Sequence, residues 1–220
     1  VPVDQQRDYW SATLPPNRLR YFERQWLDNR IHWGNFTRLR DSPLDELGSS
    51  VKGHVLQVAC VYGDFTERLV ARLEPDARLD VVDVAHIQLR NTRRKIGNSA
   101  NVRLSRQDSS RLRYPDSAFD STVLFFLLHE QPEAVRRSTI EQAIRVTRKG
   151  GRLVFIDYHC PGSFNPARYL MRGVFKLFEP YAQSFWSREI LDWAPPGFEP
   201  TKVTKKTYFG GLYQKIVFET

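Results

Sequence analysis

The sequence predicts an α/β domain with a mostly parallel, seven-stranded sheet, an antiparallel C-terminal hairpin and an N-terminal helical lid. From residue 55 onward, short β-rich runs alternate with helical stretches. This alternation is typical of parallel strands joined by right-handed helical crossovers. Near the C-terminus, two β-rich runs flank Gly210-Gly211, which indicates a hairpin. Residues 1–50 instead carry apolar residues at helical spacing among arginines, which predicts the lid.

The elements follow from these patterns in chain order. Pro15-Pro16-Asn17 predicts the start of a lid helix, because proline is tolerated in the first turn. Strands are predicted at 55–59, 79–84, 102–104, 120–126 and 152–158, helices at 65–73, 87–96 and 132–148, and hairpin strands at 202–209 and 212–219. We therefore expect a lid at 1–50 and one sheet domain at 51–220.

Composition limits the class of protein. A chain of 220 residues with 41% hydrophobic and 26% charged residues is ordinary for one globular domain. The two cysteines, Cys60 and Cys160, predict no disulfide framework and a reducing compartment. No run of 18 apolar residues occurs, so no membrane-spanning helix is predicted.

The net charge of +8 favours an anionic partner or simply a basic, solvated surface. Nucleic acid is disfavoured, because the basic cluster at 90–113 has no interleaved aromatic residues for base stacking. Residues 164–181 have the pattern of an amphipathic helix. Such a helix can lie on an anionic membrane, cap an apolar pocket or pack on the core.

A candidate ligand loop lies at 55–66, where a strand, a tight turn and a helix start follow one another. A glycine such as Gly63 lets the backbone approach a nucleotide closely. Asp83 ends the second strand and follows Gly63 by 20 positions, a place from which a carboxylate can bind both ribose hydroxyls. Asp80 is the competing carboxylate, although it lies inside the strand.

Polar residues also follow the fourth and fifth predicted strands. His129 and Glu130 come after the fourth strand, and Asp157 and His159 end the fifth. Imidazole and carboxylate groups together suit a transition metal or general acid–base chemistry. Alternatively, His129 only lines a cofactor site. These alternatives remain open on the residues alone.

Several motifs resemble class I, Rossmann-like methyltransferases. They are the loop at 58–64, Asp108 after the third strand, the proline-acid run at 114–120 and Lys149-Gly150-Gly151. The resemblance covers residues 55–158 and implies S-adenosylmethionine as cofactor. The implied cofactor-binding residues are Gln57, Ala59, Cys60, Gly63, Asp83, Val84, Asp108 and Ser109. The loop departs from the family pattern, because Ala59 and Val61 replace glycines and Gln57 replaces an acid.

The loop at 58–64, with the runs 26–39 and 124–132, is similar to the RquA family of rhodoquinone biosynthesis proteins. That resemblance implies amino transfer from S-adenosylmethionine to ubiquinone, replacing a ring methoxy group, with manganese (Mn) assisting. It implies His129, Tyr62 and Asp157 as catalytic residues, and Asp157, His159, His129 and Glu130 as metal ligands. Tyr9, Trp10, Trp33 and Tyr62 would pack on the quinone ring.

The same resemblance places the protein on a membrane surface, at the cytoplasmic face of a bacterial inner membrane or the matrix side of the mitochondrial inner membrane. Two other functions remain open. One is conventional O- or C-methyl transfer to a quinone precursor or another small molecule. The other is a non-catalytic scaffold, suggested by the replaced loop residues Gln57, Ala59 and Val61.

Overall fold

The structure, a computed structural model, describes residues 36–61, 63–178 and 181–220. Two compact units make up the chain, one ending at Ser109 and the other beginning at Ser110. Most of the expected lid, with Tyr9, Trp10 and Trp33, lies outside the described residues, as does Tyr62. The predicted boundary between a lid at 1–50 and a domain at 51–220 therefore stays a prediction.

The first unit contributes three parallel strands and the helices that follow them. Its described elements are α1 (Phe36–Leu47), β1 (His54–Val58), α2 (Phe65–Val70), β2 (Arg78–Asp83), α3 (His86–Ile96) and β3 (Val102–Arg106). Strand β2 pairs in parallel with both β1 and β3. The apolar residues of β1 and β2 are buried, as expected of central strands in a parallel sheet.

The second unit begins with a parallel pair and ends with the hairpin. Its elements are β4 (Phe119–Phe125), a 3-10 turn (Leu128–Glu130), α4 (Glu133–Val146), β5 (Thr147–Tyr158), α5 (Pro166–Phe178), α6 (Ala182–Phe185), a second 3-10 turn (Ile190–Trp193), β6 (Lys202–Tyr208) and β7 (Tyr213–Glu219). Strand β4 runs parallel to β5, whereas β7 is antiparallel to both β5 and β6.

The strands form one seven-stranded sheet in the order β3-β2-β1-β4-β5-β7-β6. This arrangement confirms the predicted fold class, a mostly parallel sheet closed by an antiparallel C-terminal hairpin. The edge strand β6 is exposed over most of its length and carries three lysines, which discourages pairing with another chain. None of the described helices is long and apolar enough to cross a bilayer.

Strand β5 begins five residues before its predicted start at 152, because Thr147 already pairs with Phe119 of β4. The Thr147 hydroxyl also bonds to the Thr122 hydroxyl at 2.7 Å. A side chain at Gly151 would place its Cβ 2.7 Å from the Arg148 carbonyl oxygen and 2.8 Å from that of Asp120. The second glycine of the Lys149-Gly150-Gly151 motif therefore permits close strand packing.

Candidate active site

The loop after β1 has a backbone conformation that usually requires glycine, but alanine occupies the position. Ala59 has a φ of 72°, in the left-handed region that costs an L-residue about 1–2 kcal/mol. The buried Gln57 side chain donates to the Ala59 carbonyl at 3.0 Å and accepts from the Thr66 hydroxyl at 3.0 Å. Gln57 thus joins the end of β1, the loop and the first turn of α2.

Asp83 is fixed at the carboxyl end of β2. One carboxylate oxygen accepts from the Cys60 amide at 2.8 Å, and the other accepts from the Ala85 amide at 2.7 Å. Each oxygen retains acceptor capacity for a ribose hydroxyl. The competing residue Asp80 instead bonds to His54 at 2.5 Å, within the strand. This geometry favours Asp83 as the ribose ligand.

The protonation of Asp83 should make cofactor affinity depend on pH. Burial raises the pKa of Asp83 to about 6, although the Cys60 and Ala85 amides oppose the shift. Below pH 6 the carboxyl is protonated, loses acceptor capacity and must give up its charge-assisted contacts. We expect S-adenosylmethionine affinity to rise as pH increases through about 6, measured by isothermal titration calorimetry. Asp83→Asn should bind weakly and lose this pH dependence, whereas an unchanged profile would exclude Asp83 from the ribose contact.

The far end of the loop is anchored by an arginine that no sequence motif predicted. The Arg40 guanidinium, 3% exposed, donates to Asp64 at 2.8 Å and to Asp41 at 2.7 Å. Arg68 also donates to Asp64, at 2.7 Å, and these two cations lower the pKa of Asp64 against the effect of burial. Lys95 donates to the Gly63 carbonyl at 2.9 Å. The loop is therefore held at both ends.

The remaining predicted cofactor residues lie at the neighbouring strand ends. Val84 follows β2 directly, and Asp108 and Ser109 follow β3. The Gln107 amide donates to the Asp83 carbonyl at 3.2 Å, which ties the segment after β3 to the end of β2. Burial raises the pKa of the Cys60 thiol, so this group stays neutral beside Asp83. The first unit thus brings the predicted residues to one edge of its strands.

In the second unit, His129 and Asp157 form a buried pair. The His129 Nδ1 atom lies 2.7 Å from one Asp157 oxygen, which also accepts from the Tyr158 amide at 2.8 Å. The other oxygen accepts from the Leu128 amide at 2.9 Å. A carboxylate only accepts, so Nδ1 carries the hydrogen and Nε2 keeps a lone pair. The pair thereby fixes the tautomer and the ring orientation of His129.

Aromatic rings surround this pair. The Tyr158 ring lies 4.5 Å from the His129 ring, edge to face, and stacks on Tyr213 at 5.6 Å. Phe126 contacts His129, Tyr158 and Tyr213 at 5.7–6.0 Å between ring centroids. Phe126 has a φ of 51°, and its amide donates to the Ile156 carbonyl at 2.7 Å. This packing limits the His129 ring to one orientation.

Arg136 supports the 3-10 turn that carries His129. It is fully buried and donates to the carbonyls of Leu128 at 2.9 Å, Gln131 at 2.8 Å and Tyr181 at 3.1 Å. Its guanidinium lies 4.6 Å from the Trp193 ring, and burial lowers its pKa to about 10. No motif in the sequence pointed to this role for Arg136. Its helical position does indicate burial, because Arg136 lies on the face of α4 that packs on the core.

The predicted manganese ligands do not form a metal site in this structure. Asp157 already bonds to His129 and to two backbone amides. His159 Nδ1 lies 2.6 Å from the Gly211 carbonyl, while Glu130 is exposed. Across residues 36–61, 63–178 and 181–220, no group of three or more His, Cys, Asp or Glu could hold a metal ion. The residues described do not fit manganese.

A cavity of about 250 Å³ opens beside Tyr158 within the second unit. Its lining combines aromatic and polar groups: Tyr158, His159, Cys160, Phe185, Trp186, Ser187, Arg188, Glu189, Asp192 and Gln214. The Trp186 indole N–H and the Gln214 side-chain oxygen are buried without a hydrogen-bond partner among the described residues. One is a donor and the other an acceptor, and both residues belong to the cavity lining.

Comparison with known proteins agrees with this geometry. The family described as "Methyltransferase domain" matches residues 55–151. Demethylmenaquinone methyltransferase of Symbiobacterium thermophilum is 26% identical over 64% of this chain and 52% of its own length. The ubiquinone/menaquinone biosynthesis C-methyltransferase UbiE of Ectopseudomonas mendocina is 26% identical over 72% of this chain and 60% of its own length. This chain thus spans about half to three fifths of these relatives.

A solved structure shows the same fold. The S-adenosylmethionine-dependent methyltransferase from Aquifex aeolicus superposes with a TM-score of 0.59 at 17% identity, covering 94% of this chain and 98% of that one. With the match over residues 55–151, this likeness supports the resemblance to class I methyltransferases. The chain thus has the class I methyltransferase fold, matches the methyltransferase family over residues 55–151 and is similar to quinone C-methyltransferases over part of its length.

Proposed function

We propose that this protein transfers a methyl group from S-adenosylmethionine to a ring carbon of a quinone precursor. The observation that carries the proposal is the buried His129–Asp157 pair, which leaves His129 Nε2 as a base. The two quinone methyltransferase relatives support the choice of substrate class. Conventional methyl transfer, rather than amino transfer, is therefore the leading proposal.

S-adenosylmethionine, when bound, supplies an electrophilic methyl group on a sulfonium. The ring carbon gains this methyl and loses its proton, and the sulfur keeps the electron pair of the broken bond. His129 Nε2 accepts the ring proton, and Asp157 stabilises the resulting imidazolium. The backbone bonds to Asp157 keep its carboxylate in place during the transfer.

We place the quinone ring in the cavity beside Tyr158, which His129 does not line itself but whose Tyr158 packs on the His129 ring at 4.5 Å. Its volume of about 250 Å³ is small, which favours a compact, flat head group. The Trp186 N–H can donate to a ring oxygen, and the Gln214 side-chain oxygen can accept from a ring hydroxyl. A reduced, dihydroxy ring presents both groups, and it is also the form whose carbon attacks an electrophile.

The proposal is tested by incubating the protein with S-adenosylmethionine and a reduced demethylated quinone. We expect S-adenosylhomocysteine and a quinone product in which a methyl group replaces one ring hydrogen. Mass spectrometry detects both. Trp186→Phe, which removes only the indole donor, should raise the quinone KM while leaving cofactor affinity unchanged. Failure to bind S-adenosylmethionine in calorimetry would instead favour the non-catalytic scaffold.

A second candidate is amino transfer from S-adenosylmethionine to ubiquinone, giving rhodoquinone. The observation that favours it is the loop, where Ala59 adopts a φ of 72° and Gln57 replaces an acid. A methyl group at position 59, on a loop that the buried Gln57 amide holds through the Ala59 carbonyl, alters the shape offered to the methionine part of the cofactor. Such a change could present the amino nitrogen rather than the sulfonium methyl to the ring.

A further inference from the structure

Three exposed apolar side chains cluster around the start of α5. Phe164 is 100% exposed, Tyr169 is 59% exposed and Leu170 is 51% exposed. Elsewhere in the described part of the chain, Leu191 and Val203 are the other large apolar residues with exposure of this order. Exposed aromatic and aliphatic residues in one short segment indicate an interaction surface.

The segment is firmly attached to the second unit. Met171 and Phe175 on the opposite face of α5 are buried, and Phe175 packs on Tyr158 at 5.0 Å. The Asn165 side chain donates to the Gly210 carbonyl at 2.8 Å and accepts from the Ala167 amide at 2.9 Å. The apolar side chains are therefore held outward by a helix whose other face is in the core.

The charge of the segment is complementary to an anionic surface. Residues 161–178 include Arg168, Arg172 and Lys176 and no acidic residue. Arg172 is exposed beside the apolar side chains, and the chain as a whole carries a net charge of +8. A helix with apolar side chains flanked by cations is suited to the boundary between acyl chains and anionic head groups.

We propose that Phe164, Tyr169, Leu170 and Arg172 form a docking surface for an anionic lipid bilayer. The inference rests on the proposed function, because a quinone with a lipid tail resides in the bilayer. Phe164 and Leu170 enter the outer part of the acyl-chain region. Tyr169 lies at the level of the head groups, and Arg172 contacts lipid phosphate. We call these four residues the docking surface.

Short contacts join the segment that carries the docking surface to residues that line the proposed ring cavity. Arg168 donates to the Pro161 carbonyl at 3.2 Å, and Pro161 follows Cys160, which lines the cavity. His159, another lining residue, bonds to Gly211 of the hairpin turn, and Asn165 bonds to the adjacent Gly210. Docking would thus bring the cavity close to the membrane and shorten the path of a quinone head group.

Vesicle co-sedimentation of the full chain tests the proposal without any quinone. We expect binding to vesicles containing phosphatidylglycerol and much weaker binding to phosphatidylcholine alone. The double variant Phe164→Ser/Leu170→Ser should lower partitioning about tenfold or more, because each loses apolar area buried in the membrane. Arg172→Gln should weaken binding and reduce its salt dependence.

The matched control is Val203→Ser. It removes an apolar side chain that is 47% exposed and lies in the edge strand β6, outside the docking surface. It should bind vesicles like the parent protein. Equal losses for the control and the double variant would overturn the proposal, as would an absence of vesicle binding. Concentration-dependent dimerisation that only the double variant removes, without vesicle binding, would assign the surface to a second copy instead.

A separate readout distinguishes this inference from the proposed function. With a short-tailed, water-soluble quinone, the double variant should match the parent protein in kcat. With a long-tailed quinone in vesicles, its KM should rise about tenfold, in line with the lost partitioning. Normal vesicle binding without methyl transfer would contradict the proposed function alone.

Discussion

Asp157→Asn is expected to lower kcat by about 100-fold or more, the range for loss of an oriented general base. The asparagine side chain lacks the charge that stabilises the His129 imidazolium. Its NH2 group would also face a backbone N–H, so that two donors would meet. Cofactor affinity should stay within about threefold, because this pair belongs to the proton transfer. Steady-state kinetics and calorimetry measure the two effects.

His129→Gln and the double variant are the controls for this prediction. If the two residues act as one unit, the double variant should be no slower than either single variant. Thermal melting must show that each variant is folded at the assay temperature. A kcat for Asp157→Asn within threefold of the parent value would contradict the assignment of His129 as the base.

Arg136→Met should lower the free energy of unfolding by about 3 kcal/mol. It removes hydrogen bonds to three backbone carbonyls, and the two in buried contacts, Leu128 and Gln131, each cost about 1–3 kcal/mol when left unsatisfied. Part of this loss is offset, because a buried cation with a lowered pKa is itself unfavourable. Urea unfolding followed by tryptophan fluorescence reports the change, since Trp193 packs on the guanidinium.

Arg137→Met is the matched control, one residue further along α4. Arg137 also lies over the Trp193 ring, at 5.0 Å, but it is 43% exposed and its ion pair is with the exposed Glu133. We expect a loss below about 1 kcal/mol, as for other surface ion pairs. Similar losses for the two variants would mean that the carbonyl contacts of Arg136 contribute little.

Much of the fold could be predicted because its strands are short, apolar and separated by helices of regular period. The predicted strands at 55–59, 79–84 and 120–126 each lie within one residue of an observed strand end. Strand β5 was predicted too short, because Lys149-Gly150-Gly151 has the composition of a turn while its backbone continues the strand. Tertiary pairing outweighs local composition there.

The site was harder to predict, because side-chain partners are set by tertiary contacts. Strand ends correctly indicated that His129 and Asp157 would meet, at 2.7 Å. The same pattern predicted that His159 would join them as a metal ligand, but the hairpin turn brings the Gly211 carbonyl to its ring instead. Arg40 and Arg136 were missed, since buried arginines are rare and their acceptors lie far along the chain.

Tracing the two ends of the cofactor tests the central claim most directly. S-adenosylmethionine carrying a carbon-13 methyl group and a nitrogen-15 amino group is incubated with the protein and a reduced demethylated quinone or ubiquinone. Methyl transfer predicts that the quinone product gains carbon-13 and no nitrogen-15, with one S-adenosylhomocysteine released per product. Nitrogen-15 in the quinone without carbon-13 would contradict methyl transfer and establish amino transfer in its place.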